Sequence, residues 1–397
     1  MTALLFCEEP GGNTWGEMIV SESNILQSAK ERHAQTLDNL KRLVELESPS
    51  SDKAAVDRLI DHLQSEIELR GGSVDRRKQS DFGDILIARF GTGDQKPLLV
   101  MTHVDTVWPV GTIERLPWRI EDNHAFGPGI FDMKASAAMM LTSLDVINDL
   151  GFQKRPITWI INTDEEVGSP VSRPILEALA RESELVLCLE PPVPPDGALK
   201  TERKGVGMFT MTIEGRASHA GADHEAGISA VEELARQIQW LHGLTDYERG
   251  TTVNVGVISG GTKRNVVAAH AEALIDLRVT SMAEADKLVP MILNAQPAVA
   301  GTTITVDGEL NRPPMERTDA IATNFQRARE IGRTLGLDLK EASTGGGSDG
   351  NFTAAIGVPT LDGLGCNGNG GHADDEHIEV DKIDERVALI AALLANF

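Results

Sequence analysis

Apolar residues recur along this chain in two rhythms. One repeats at helical spacing, and the other forms short solid runs that mark buried strands. Residues 23–46 carry Leu37, Leu40, Val44 and Leu46 among charges, which predicts a helix. A second helix is predicted over residues 53–69, closed by Gly71-Gly72. Solid β-prone runs at 84–90 and 97–102 predict strands. A helix over 134–150, a strand over 156–160, a helix over 173–181 and a strand over 185–189 follow. Strand–helix–strand alternation predicts an α/β domain with a mostly parallel sheet. From residue 205 the order changes to strand 205–214, helix 226–241, strands 252–259 and 266–280, helix 283–293 and strand 302–306. That βαββαβ order predicts an inserted ferredoxin-like domain over 203–312. The α/β domain is then split between 23–202 and 313–397, with helices over 319–335 and 382–394 near its end.

The polar residues that interrupt these runs gather at strand ends. The run at 156–160 leads into Ile161-Asn162-Thr163-Asp164-Glu165-Glu166-Val167-Gly168. Crowded carboxylates repel one another and resist shared burial, so a buried set needs a cation or a shared proton. Alone, the triplet reads as a solvated acidic loop. The run at 97–102 leads into His103-Val104-Asp105, whose outer residues share a face on extended backbone, so one can bind a metal while the other orients it. Asp132 sits in the turn before the helix at 134, a place where an acid also serves as a cap. Glu190 closes the strand at 185–189, and His372 lies in Gly371-His372-Ala373. In parallel sheets sites gather beyond the carboxyl ends of the strands. Two imidazoles and three carboxylates from His103, Asp132, Glu165, Glu166, Glu190 and His372 can hold two ions, one carboxylate bridging. A fourth carboxylate is left to move protons. Nitrogen and oxygen donors without thiolates suit catalytic zinc. His124 reads as a solvated loop residue, and His224 and His377 as solvated or supporting ones.

Composition narrows the partners. The chain has 397 residues, 60 Asp+Glu against 37 Lys+Arg, and a formal charge of −23, which argues against nucleic acid and anionic membranes. Three widely spaced cysteines, Cys7, Cys188 and Cys366, point to a reduced, cytoplasmic chain, with Cys188 buried in its strand. No apolar run reaches 18 residues, so no membrane span is expected. Residues 1–22 lack a signal-peptide pattern and read as a flexible extension, with Met18 as an alternative start.

Six motifs in order make the chain similar to the zinc aminoacylase/carboxypeptidase superfamily. They are His103-Val104-Asp105-Thr106-Val107, Gly127-Pro128-Gly129-Ile130-Phe131-Asp132-Met133-Lys134, Thr163-Asp164-Glu165-Glu166-Val167-Gly168-Ser169, Leu189-Glu190-Pro191, Ala217-Ser218-His219-Ala220-Gly221 and Gly371-His372. Thr344-Gly345-Gly346-Gly347-Ser348-Asp349 and Asn311-Arg312-Pro313-Pro314-Met315 resemble the glutamate carboxypeptidase branch. The resemblance implies two Zn2+ ions, with cobalt or manganese as substitutes. Asp132 bridges them, His103 and Glu190 complete one, and Glu166 and His372 complete the other. It implies Glu165 as general base, Asp105 as the residue orienting His103, and a cis Asp132–Met133 bond. The inserted domain resembles a lid that forms a homodimer and passes His219 to the partner subunit's site. Asn265, Arg278, Arg312, Gly346 and Gly347 resemble contacts to the carboxylate end of an N-acyl amino acid or short peptide. The reaction implied is amide hydrolysis releasing a C-terminal amino acid, glutamate or aspartate. The alternatives are an aminoacylase or deacetylase for aliphatic substrates, a dipeptidase, and a catalytically silent relative.

Overall fold

The computed structural model describes residues 24–151 and 155–397. The extension expected over 1–22 and Cys7 lie outside the described residues. The central sheet contains β1 (Ser73–Arg77), β2 (Ile85–Phe90), β3 (Leu98–His103), β4 (Ile157–Asn162), β5 (Leu185–Cys188) and a two-residue strand, Thr360–Leu361. Their order is β1–β2–β4–β3–β5–Thr360. Neighbours from β4 to Thr360 are parallel, while β1 and β2 run antiparallel at one side. Every residue of β3 and β4 is buried, so these strands read as solid rather than alternating apolar runs.

Helices cover both faces of this sheet. Helices His33–Glu45, Lys53–Leu69, Ala135–Leu150 and Ile383–Asn396 enclose Leu43, Val56, Leu59, Met140, Trp159 and Val387 on one side. Helix Arg173–Glu182 packs Leu176 and Ala180 on Ile85, Leu99, Met101, Ile160 and Val186 on the other. Asp52 caps Lys53–Leu69 by accepting from the Ala55 N–H, and Gly71 beyond it has φ +79°, which glycine adopts without strain. Cys188 and Cys366 are buried and unpaired, as expected for Cys188. Among the described residues no helix is long and apolar enough to cross a membrane.

A second sheet is wholly antiparallel. It joins β6 (Gly205–Glu214), β7 (Thr252–Gly260), β8 (His270–Val279) and β9 (Thr303–Arg312) in the order β7–β8–β6–β9. Alternate residues of β8 are buried against helices Ala230–His242 and Met282–Leu293, with Leu234, Leu241, Leu288 and Ile292 facing Met211, Ala273, Ile275 and Leu277. Ser229 and Ser281 start these helices, accepting from the N–H of Glu232 and Glu284. The chain leaves the first sheet's domain after Arg203 and returns before Met315. Those two residues exchange both backbone hydrogen bonds, each at 3.0 Å.

Local expectations change at several places; the strand expected over 266–280 begins at His270 and the helix expected from 226 at Ala230. Strand β1 was not anticipated, because Ser-Val-Asp-Arg-Arg holds one apolar residue; it forms by edge pairing with β2. Strand β9 runs past 306 through Asp307-Gly308-Glu309, which an exposed edge tolerates. His124 is not a loop residue. It lies in strand His124–Phe126, with its ring edge-on to His377 at 4.7 Å.

Candidate metal centre

The carboxyl ends of β3, β4 and β5 carry the acids and imidazoles to one place. His103, the last residue of β3, is 2% exposed. Its Nδ1 lies 3.1 Å from the Asp105 carbonyl oxygen and 3.4 Å from Asp105 Oδ1. Its Nε2 lies 3.0 Å from Asp132 Oδ1 and 3.4 Å from Glu190 Oε1. Asp105 is fully buried and accepts from Ser50 Oγ and from the N–H groups of Glu165 and Glu166. One aspartate therefore ties the β3 end to the β4 end.

A second group forms opposite the first. His372 Nε2 lies 3.1 Å from Glu166 Oε2 and 3.5 Å from Asp132 Oδ2. Donor atoms of His103, Asp132 and Glu190 fall within 4.8 Å of one another, and so do those of Asp132, Glu166 and His372. Asp132 belongs to both groups. It lies in the turn Ile130–Lys134, and its bond to Met133 is cis, as the resemblance implied.

The electrostatics are those of a cation site. Burial opposes charge on His103, but Asp105, Asp132 and Glu190 outweigh it and hold its pKa well above the imidazole range. Asp132 and Glu166 push His372 up to about 10. Asp132 is held well below the carboxylate range: burial would raise it, and the two imidazoles outweigh burial. Divalent ions would supply positive charge to these carboxylates, with neutral imidazole as the ligand. Glu166 Oε1 is buried with no hydrogen-bond partner, so one donor remains for a cation. The residues fit a pair of oxygen- and nitrogen-bound metal ions.

Glu165 stands beside this cluster. Its pKa is raised well above the carboxylate range by burial, against which Arg312 and His103 act. Arg312 is tied to Glu165 Oε1 at 2.8 Å, to the Glu165 carbonyl oxygen at 2.9 Å and to Asp349 Oδ1 at 2.9 Å. Asp164, the third acid of the triplet, turns away: its Oδ2 accepts from the N–H groups of Val171 and Ser172 and supports the next helix.

The remaining candidates lie on the four-stranded domain or on the glycine-rich loop. His219 is exposed, and its Nδ1 accepts from the N–H groups of Gly221 and Ala222. Asn265 is exposed close by, its carbonyl oxygen accepting from the Ala220 N–H. Arg278 is half-buried, bonded to Asp276 and, at 3.4 Å, to the Gly345 carbonyl oxygen. The carbonyl oxygens of Gly346 and Gly347 accept from Arg203 Nη1.

The model of peptidase family M20/M25/M40 matches residues 99–396, well over half of the chain. The chain belongs to that family. This M20 chain is a metallopeptidase-family hydrolase, and the motif resemblance is borne out at that level. It is 28% identical over 382 residues to carboxypeptidase G2 of Pseudomonas sp. (strain RS-16), covering 94% of this chain and 91% of that one. An aminopeptidase from Bacillus cereus has the same fold, with a TM-score of 0.76, 22% identity, and coverage of 91% and 98%. So does a dinuclear metal-binding M20 peptidase from Bacillus subtilis, with a TM-score of 0.69, 16% identity, and coverage of 92% and 98%.

Several residues that build the M20 site were not singled out by its sequence. Arg203 and Asp362, both fully buried, form a two-bond pair at 2.7 and 2.8 Å, and Arg203 Nη2 reaches Glu190 Oε2 at 3.4 Å. Asp349 holds Arg312, Ser169 and Asn162. Glu376 accepts from four donors around the Asp132 turn. Their partners are remote in the chain, so no local spacing betrays them. The signal available was chemical: an acid or arginine at a position the fold makes fully buried.

Proposed function

We propose that this protein is a two-zinc hydrolase of the amide bond in an N-acyl amino acid or short peptide, releasing a C-terminal glutamate or aspartate. The observation that carries this reading is the pair of three-residue donor groups sharing Asp132, with a raised-pKa carboxyl, Glu165, directly beside them. His103, Asp132 and Glu190 would hold one ion, and Asp132, Glu166 and His372 the other. Bound there, the ions supply electrophilic polarisation of the scissile carbonyl and acidify water. Asp105 fixes the ring of His103. Glu165 takes the proton from water and delivers it to the leaving amine.

The lid-like domain supplies the other half of the site. Two backbone N–H groups donate to His219 Nδ1, so the neutral ring carries its proton on Nε2. That N–H is a donor suited to a developing oxyanion. In this reading His219 serves the partner subunit's site within a homodimer. Asn265 and Arg278 bind the carboxylate end of the substrate, a guanidinium fork matching a carboxylate. Arg312, Gly346 and Gly347 flank that end, and Arg312 also holds Glu165 in place.

The test is amino-acid release from N-acyl substrates that share one acyl group, with glutamate, aspartate, leucine, methionine, phenylalanine or arginine at the C-terminus. Each is assayed zinc-loaded and after chelation. Zinc-dependent release concentrated on the acidic members is the expected result. Zinc-dependent release of apolar residues would instead favour an aminoacylase. Full activity after verified metal removal would overturn the mechanism.

A further inference from the structure

Asp132 must present both carboxylate oxygens in fixed directions if it bridges two ions. The turn that carries it has little regular structure: Asp132 and Met133 have non-helical dihedrals inside Ile130–Lys134. What this turn has instead is a convergence of donors on one acid. Glu376 Oε1 accepts from the Phe131 N–H at 2.9 Å and the Asp132 N–H at 3.1 Å. Its Oε2 accepts from the Gly129 N–H at 2.9 Å and from Trp108 Nε1 at 2.8 Å. The side chain is 3% exposed. Four well-formed bonds account for its acceptor sites, so the carboxylate is held in one orientation.

Glu376 also lies four residues after His372, on the loop that presents the second imidazole. That loop and the Asp132 turn are more than 230 residues apart in sequence, Glu376 lying 244 positions after Asp132. A left-handed backbone at His372, φ +65°, and the hydrogen bond from the Ala373 N–H to the Gly370 carbonyl shape the same short loop. The carboxylate thus joins the element carrying the shared ligand to the element carrying a ligand of one group only.

We propose that Glu376 is the positioning residue of the metal centre: its carboxylate gathers the main-chain N–H groups of Gly129, Phe131 and Asp132 and locks the shared ligand to the His372 loop. One buried side chain then sets both metal positions. This rests on the reading of His103, Asp132, Glu166, Glu190 and His372 as ligands. It differs from the support given to the first group by Arg203, which touches Glu190 alone among those five. A glutamine at 376 turns an NH2 group toward two of the four donors, and an aspartate falls one methylene short of them.

The experiment measures both zinc dissociation constants by chelator competition on the full-length protein, with kcat and KM taken at saturating zinc. Parent, Glu376→Gln, Glu376→Asp and Trp108→Phe are compared, with folding checked by circular dichroism. Glu376→Gln should weaken both ions by about 10–100-fold, the range for outer-sphere partners of a metal site, and lower kcat more than it raises KM. Glu376→Asp should recover part of the loss, and Trp108→Phe, which removes only the indole donor, should show the smallest loss at both ions. Folded Glu376→Gln with both affinities within about twofold of the parent would overturn the proposal, as would a loss confined to one ion. If Glu376→Gln fails to fold, parent-like affinities in Glu376→Asp overturn it equally. A parent protein that binds fewer than two zinc ions would instead bring down the metal reading itself.

Discussion

The strand-end cluster and the groups carried by the inserted four-stranded domain are supported differently. His103 and Glu190 are buried, and three ligand positions have a buried partner: Asp105 for His103, Arg203 for Glu190, Glu376 for the Asp132 turn, while His372 is exposed and Glu166 Oε1 has no hydrogen-bond partner. His219 and Asn265 are exposed, and Arg278 is bonded to a neighbour two residues away on its own strand. The cluster sits at the ends of strands covered on both faces, where a shift of one side chain disturbs many contacts. The groups of the inserted domain sit on loops and an open sheet face. The difference is one of support: buried partners hold His103, Glu190 and the Asp132 turn, and the groups of the inserted domain have few such partners.

Breaking this contrast takes variants on each side of it. The largest effect is expected for Glu165→Gln, which should cut kcat by at least about 10²-fold, as for loss of a general base, while metal content measured by elemental analysis stays at the parent level. Near-parent turnover would remove Glu165 from that role. His219→Ala should cut kcat by about 10²-fold, as for a lost oxyanion donor, again with metal content unchanged. If it acts across a dimer, mixing His219→Ala with Glu165→Gln regenerates activity, because the subunit retaining Glu165 receives His219 from its partner. Exchanged dimers without recovery would place His219 in its own subunit's site.

The smallest effect expected is a displacement in pH. Burial is the main force raising the pKa of Glu165, and Arg312 is the first of the charges acting against it. Arg312→Met removes that restraint, so the pKa rises further. The base must be ionised to work, so the acid limb of the kcat/KM profile should move to higher pH. A limb that stays put would separate Arg312 from the base and leave it a substrate contact alone. Arg312 ends β9 of the inserted domain and yet bonds to Glu165 beyond the β4 end, so it belongs to both sides of the contrast.

Sequence reading located the fold well where periodicity is dictated by burial. Strands β3, β4 and β6 and the helix Lys53–Leu69 fall within a residue or two of expectation, since each buries a face that its apolar pattern declares. Strand β1 and the outer half of β9 escaped because edge strands are specified by backbone pairing rather than by apolar residues. His103, Glu165, Glu166 and Glu190 were legible as strand-end residues, whereas Asp132 and His372 lie on a turn and a loop and were legible through their motifs. Their supports were not: Asp105 speaks to Ser50, Arg203 to Asp362 and Glu376 to Gly129, across 55, 159 and 247 residues. Only the folded chain brings those pairs together.

The bridge between Arg203 and Met315 has a consequence for how this architecture is assembled. An insertion of more than a hundred residues enters and leaves beside this pair of hydrogen bonds, while Arg312, inside the insert, bonds back to Glu165 and Asp349 of the host. A turn of about two residues, the commonest hairpin connection, would span the gap. A chain joined there should keep the α/β sheet yet lose the hold of Arg312 on Glu165, so an insert exchanged between relatives must bring an arginine to that place.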